Sequence, residues 1–193
     1  MPSSAPTAAT AGLGNFLLIP GRRTKARNTA TRPYLWAMTL PLENVQTYPR
    51  PPALEQVPQR IQVWLGGAEI ISTTRAFRVL ETHHAPTYYI PRADITAKIT
   101  RAPGSSFCEW KGAARYWTLT AGEVTAPRCA WDYPTPTPRF ADLSAHLAIY
   151  AHAMDRCVVG GEPVDPQPGN FYGGWVTGNL RGTVKGAPGT EGW

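Results

Sequence analysis

Cysteine is scarce and scattered in this chain of 193 residues: Cys108, Cys129 and Cys157 stand far apart, with no CxxC pair. Structural zinc takes four ligands, usually delivered as closely spaced pairs, and these thiols cannot supply two such pairs. An odd, dispersed set without a signal-peptide pattern points to reduced thiols in an intracellular compartment, the cytoplasm first. Charge is thin as well, at 17% of residues, with 13 acidic side chains against 19 lysines and arginines. Hydrophobic residues make up 42%, so the chain is not a highly charged disordered one. Long apolar runs are missing: Phe16–Ile19 is the densest early run, and Pro20 ends it. That is far short of the roughly 20 residues that span a bilayer, so no membrane partner is expected. The general catalytic motifs are missing too: no P-loop, no GxGxxG after a strand, no GxSxG and no HExxH. His146 and His152 do not share a helical face and have no partner at metal-ligand spacing. Solvated histidine is their plain reading, and neither a metal nor a cofactor is expected.

Turn formers, by contrast, are abundant. Twenty prolines and 18 glycines are spread along the chain, a pattern of short strands joined by many turns. The length fits one domain, or one domain with an arm, and buries enough surface to hold a core without disulfides. Arg22, Arg23, Lys25, Arg27 and Arg32 all precede the first acidic residue, Glu43. Residues 1–42 therefore read as a basic, solvated arm, loosely attached, and 43–193 as a single domain. An acid-free segment rich in Ala, Ser, Thr and Arg also has the composition of a mitochondrial transit peptide. Nucleic-acid binding through the arm is the weaker reading, because the rest of the chain is close to neutral.

Within the domain, Gly66-Gly67 separates two β-branched runs, the mark of a tight hairpin. Phe77–Leu80 and Thr87–Ile90 read as strands, and Ile95, Ala97 and Ile99 alternate with polar residues as a half-buried strand does. Tyr116–Thr120 and Val124–Ala126 are expected to pair across residues 121–123. Phe140, Leu143, Leu147, Tyr150, Ala151 and Met154 recur at spacings of three and four, which predicts one packed helix between Pro138 and Gly160-Gly161. The paired glycines of Phe171–Trp175 read as an irregular loop that needs close backbone approach.

Three segments mix aromatics with a few ionisable groups: Arg75–Pro91, Phe107–Trp117 and Ala130–Pro134. Rings supply contact area and a few polar groups fix orientation, which is the composition of a small-molecule pocket. The plain alternative is a β core whose polar tips simply find partners. Tyr88, Tyr89, Trp110, Tyr116, Trp131 and Tyr133 are the candidate lining. Lys111 is the informative member, since a core seldom also needs a lysine whose charge is costly to bury. Tyr88, Trp110, Lys111 and Trp131 are expected to meet at one concave site. Cys108 is a candidate nucleophile or redox thiol if Lys111, Arg115 or a histidine lowers its pKa; otherwise it is a small buried hydrophobe. Glu81 and His84 complete the candidate catalytic set, as an ion-pairing carboxylate or base and as an acid/base in a Pro-bounded loop.

These segments, with YYIP at 88–91, C-x-WKG-x-A-x-YW at 108–117, AW-x-YP at 130–134 and the ending Phe171–Trp193, resemble the family called domain of unknown function 427. The resemblance runs from about Glu43 to Trp193. A nucleotidyltransferase-like label attached to that family finds no support here, since the glycine-rich and paired-carboxylate signature of metal-dependent nucleotidyl transfer is missing. Cys129 stands where the family more often has alanine, so its thiol is not read as catalytic. The family in turn resembles the β-tent architecture of methionine sulfoxide reductases and the drug-binding domain of cereblon. There zinc pins two hairpins; this chain has no matching cysteine pairs, and hydrophobic packing must take over. The resemblance implies a mainly β (α+β) fold of β-tent-like antiparallel sheets with one packed helix and an irregular C-terminal segment. The expected function is binding of a small molecule in an aromatic-lined cleft, with Lys111 and Glu81 orienting it. The alternative is an enzyme acting on a small metabolite through Cys108, Lys111, His84 or Glu81.

Overall fold

The computed structural model describes residues 40–169, 171–190 and 193. The expectations for the basic arm, including Phe16–Ile19 and Tyr34–Trp36, fall outside the described residues. Leu40, where description begins, packs against the main core cluster.

Turn chemistry lays out the strands. After β1 (Ala53–Val57), the chain forms β2 (Ile61–Leu65) and β3 (Ala68–Thr73) across Gly66 and Gly67. These two glycines take φ of 62° and 77°, the left-handed pair that a two-residue hairpin turn demands. β4 (Ala76–Leu80) and β5 (Thr87–Pro91) follow as expected. The long strands β6 (Lys98–Cys108), β7 (Gly112–Ala121) and β8 (Val124–Asp132) form a meander. Its second turn pairs β7 with β8, as the sequence predicts, and sets Leu119 opposite Ala126 and Thr120 opposite Thr125. Ile95 and Ala97 lie ahead of β6 rather than in it, and Ile95 makes only an isolated bridge to Ile71.

The stretch after Pro138 departs from the expected helix in extent. A helix does begin there, but it is a six-residue 3-10 helix, Pro138–Leu143, that buries Phe140 and Leu143. Ala145 then takes a φ of 61°, which ends helical continuation, and His146–Ile149 becomes β9. Leu147, Ala148 and Ile149 are each completely buried because both faces of this strand are covered. A strand of that kind shows no alternation, and its apolar run imitates a helical face. β10 (Arg156–Val159) and β11 (Glu162–Pro163) complete the larger sheets.

The strands assemble into a seven-stranded sheet, β1-β4-β5-β9-β8-β7-β6, and a four-stranded sheet, β11-β10-β2-β3. All pairings within both are antiparallel. The expected mainly β, antiparallel class is what the chain forms. Among the described residues no helix is long and apolar enough to cross a membrane.

The period of two along each strand divides the seven-stranded sheet between two environments. Tyr88, Ile90, Ala130, Leu147 and Ile149 share one cluster with Ile61, Val63, Ile71 and Val159 of the four-stranded sheet. Tyr89, Tyr116, Trp131, Tyr133 and Ala148 belong to a second cluster with Phe140 and Leu143. Strand pairs outside the main sheets fasten the chain's later part: Asp165–Pro166 pairs with Trp175–Val176, and Leu180–Arg181 runs parallel to Glu43–Asn44. Trp175 is completely buried. Its backbone N–H donates to Pro86 O at 2.9 Å, its indole N–H to Ile149 O at 2.9 Å, and its ring lies 5.2 Å from Tyr88.

Trp175 therefore pins the C-terminal segment to β9 and to the loop before β5. Trp175→Ala should cost about 3–5 kcal/mol of unfolding free energy, the range for deleting a fully buried aromatic ring. Urea denaturation checks this; a loss under about 1 kcal/mol would mean the segment is not part of the cooperative fold.

Candidate functional site

The second face of the seven-stranded sheet holds a cleft of about 170 Å³. Its floor follows from strand alternation: Tyr89 on β5, Tyr116 on β7 and Trp131 on β8, with Tyr133 just past the end of β8, all line it. Tyr116 stands directly opposite Trp131 across β7 and β8, and Tyr89 lies 6.5 Å from Trp131 and 6.4 Å from Tyr133 between ring centroids. Asp132, between Trp131 and Tyr133, points the other way and is held by Arg115 at 2.6 and 3.0 Å.

Far from the sheet in sequence, Gln167 and residues 171–173 form a wall. Gln167 is buried to 2% exposure; its Oε1 accepts from Ala85 N–H at 3.1 Å and its Nε2 donates to Lys185 O at 3.0 Å. Gly173 lies flat on Trp131. A Cβ built there would sit 2.1 Å from the indole Cη2, so no other residue fits without moving the ring or the chain. The close backbone approach expected for these paired glycines is thus made onto Trp131. Trp131 also meets Tyr150 at 4.5 Å, and Phe171 and Tyr172 extend the wall outward.

The four candidate catalytic residues, Cys108, Lys111, Glu81 and His84, all line this cleft, as do Tyr89, Tyr116, Trp131 and Tyr133. Tyr88 and Trp110 do not. Tyr88 is adjacent to Tyr89 on one strand, so it faces the opposite side and packs on Trp175 in the main core. Trp110 occupies the turn after β6; its indole N–H is buried without a partner among the described residues, and Arg50 lies 5.6 Å over its ring. The four-residue convergence of Tyr88, Trp110, Lys111 and Trp131 is therefore corrected to the last two. Tyr150, Gln167, Phe171, Tyr172 and Gly173 join them without having been singled out for it. The spacing of Tyr150 assigns it to a helix face, and only the aromatic–glycine pattern of 171–175 signals the wall.

Lys111 ends the turn that joins β6 to β7. Its backbone is fixed by Thr137, whose N–H donates to Lys111 O at 3.3 Å and whose hydroxyl donates to Trp110 O at 2.6 Å. The side chain is only 7% exposed. Its Nζ lies 5.8 Å from the Tyr133 ring and 5.5 Å from the Phe140 ring, and it has no carboxylate or hydrogen-bond acceptor among the described residues. The surrounding hydroxyls are donors. Burial pushes the Tyr89 and Tyr133 hydroxyls well above their ordinary value and Tyr150 up to about 12, so all three stay protonated at neutral pH. The Cys108 thiol sits against the Tyr133 hydroxyl, and Tyr116 donates to Ser106 Oγ at 2.8 Å. The other thiols are core residues: Cys129 and Cys157 are 1% and 2% exposed, and burial pushes them up to about 11 and about 12.

Glu81 pairs with Arg50 at 3.2 Å, and the same guanidinium reaches Glu109, two residues before Lys111, at 2.9 Å. His84 Nδ1 faces Thr82 O at 2.9 Å, which fixes the proton there and leaves Nε2 as an acceptor. The ring meets Tyr172 edge-on at 4.8 Å. Burial holds His84 below its ordinary 6.5, aided by the positive charges of Lys185 and Arg50 and opposed by Thr82 O and Glu81. Among the described residues no three His, Cys, Asp or Glu side chains converge as metal ligands.

A family model described as Domain of unknown function (DUF427) matches residues 53–160. No curated protein matches the chain. The matched span holds the sheet that forms the floor, including Lys111 and Trp131; the wall of Gln167 and residues 171–173 lies beyond it.

His84 supplies a pH test with a definite sign. Its folded-state pKa lies below the unfolded 6.5, so protonation favours the unfolded chain. The full contribution to stability is present above 6.5 and shrinks as pH falls below it. Melting temperatures from pH 8 to about 5 should fall less steeply for His84→Gln than for the wild type. Parallel curves would show that His84 titrates alike in both states.

Proposed function

Since the chain belongs to the DUF427 family, whose name states no activity, we propose that it is a small-molecule-binding domain whose aromatic cleft receives its ligand against Lys111. One observation carries this reading: Lys111, a residue only 7% exposed, lines the cleft, and its ammonium has no anionic partner among the described residues. Removing a charge from water costs several kcal/mol even after relaxation. Cation–π contact returns about 0.5–2 kcal/mol, and rings at 5.5 and 5.8 Å stand near the outer limit of that interaction. The two rings do not offset the cost. An acceptor delivered through the cleft does, and Trp131, Tyr89 and Tyr133 supply the flat apolar surface that a small ligand needs. A core that merely satisfied its polar tips would leave no such ammonium.

A second reading has an observation of its own. Cys108, Lys111, Glu81 and His84 line one cleft, as an enzyme acting on a small metabolite would require. Glu81 is paired with Arg50, which also holds Glu109 beside Lys111, and His84 Nδ1 is on Thr82 O. Among the described residues neither Glu81 nor His84 is hydrogen-bonded to Cys108, which favours holding a ligand over a nucleophile–base pair.

A thermal-shift screen of small organic acids, nucleosides, nucleotides and cyclic imides tests the binding reading. A ligand at a hundredfold excess over its Kd should raise the melting temperature by about 5–10 °C. Trp131→Ala should remove that rise. A ligand whose effect survives Trp131→Ala unchanged binds elsewhere and contradicts the reading.

A further inference from the structure

Burial grades the lining of the cleft from inside to outside. Lys111, Tyr89, Tyr116, Trp131 and Tyr133 are at most 8% exposed, whereas Phe107 and Phe171 are 76% and 68% exposed. Two large apolar rings thus stand in water on the rim of a cleft whose depths hold an ammonium. Exposed aromatic area of this kind, gathered at one opening, marks a surface that is covered in use. The Tyr89 and Tyr133 hydroxyls and the Trp131 indole are engaged with one another, so the Lys111 ammonium is the cation left facing the cleft without an anion among the described residues. The carboxylate in the lining, Glu81, is already paired with Arg50.

Resting on the binding reading above, we propose that the ligand is an amphiphilic monocarboxylate built on a single ring. Its carboxylate sits on Lys111, and an apolar substituent leaves between Phe107 and Phe171. Size sets the single ring: the cleft holds about 170 Å³, and an apolar cavity of about 150 Å³ accepts one benzene. Charge sets the carboxylate. One ammonium balances one negative charge, while a phosphate monoester brings close to two at neutral pH and would leave the second uncompensated in a desolvated site. The Lys111 ammonium excludes a ligand whose buried end is itself a cation, such as a protonated amine. The two exposed rings call for apolar area outside the cleft, which an unsubstituted ring does not provide.

The test uses the full chain and calorimetric titration with benzoate, its neutral isostere benzamide, phenyl phosphate and 4-butylbenzoate. Benzoate should bind about 10- to 100-fold tighter than benzamide, the worth of one charge-assisted hydrogen bond, and tighter than phenyl phosphate. Lys111→Met should erase the benzoate–benzamide difference. Each methylene of the butyl group should add about two- to fourfold, and Phe107→Ser/Phe171→Ser should bring the ratio of 4-butylbenzoate to benzoate affinity down to about one. Equal affinity for benzoate and benzamide, tighter phenyl phosphate, or a butyl gain that survives the double substitution overturns the ligand class. In each of those cases binding that still depends on Trp131 leaves the site itself standing. Should none of the four bind while another screened compound does so through Trp131, the class fails alone; ligands indifferent to Trp131→Ala sink both.

Discussion

Both faces of the seven-stranded sheet are covered, and the second is covered by a segment with almost no regular structure of its own. The four-stranded sheet packs on the first face and forms the main core. Over Trp131 lies the backbone of Gly173, in a segment anchored by Gln167 and by both N–H groups of Trp175. Everything said about the cleft depends on this anchoring. Without it Trp131 loses the backbone that lies on it, and Tyr89 and Tyr133 line an open face instead of a cleft. The glycine at 173 is the narrowest part of the arrangement, because the ring and the chain leave no room for one more carbon.

Much of the β architecture is legible from local chemistry. Gly66-Gly67 has its turn, and the two strands around residues 121–123 pair with each other as expected, because tight turns and alternation are local properties. The failures also have local reasons. Leu147, Ala148 and Ile149 form a strand covered on both sides, and their spacing to Phe140, Leu143 and Tyr150 copies an amphipathic helix. Nothing in the side chains announces the left-handed Ala145 that breaks the run. Tyr88 and Tyr89 look equivalent as neighbours in a motif, yet a strand sends them to opposite faces, one into the core and one into the cleft.

The candidate site is legible in a different way. Lys111, Cys108, Glu81 and His84 stand out by the company they keep in sequence, and all four reach the same cleft. Trp110 stands out equally and turns away, since a turn residue follows the turn and not the sheet. Phe171 and Tyr172 arrive from a distant segment whose position is fixed by Trp175, a long-range contact with no local signature. Ionisable groups amid rings thus identify the floor of the cleft, while its wall is signalled only by the aromatic–glycine pattern of 171–175 and placed by the tertiary fold.

The central claim concerns the energetics of Lys111. If its ammonium is kept for a ligand, it is a burden on the ligand-free protein, which holds a lysine only 7% exposed, without an anionic partner among the described residues, beside two rings at marginal cation–π distance. Replacing a buried charge by an apolar side chain of similar volume is often neutral or stabilising, by up to about 4 kcal/mol. The direct measurement is the unfolding free energy of ligand-free Lys111→Met against the wild type by urea denaturation at pH 7. The account predicts a variant at least as stable as the wild type, with unchanged slope. A loss of about 2 kcal/mol or more would show that the ammonium supports the fold itself, and would contradict a role reserved for a ligand.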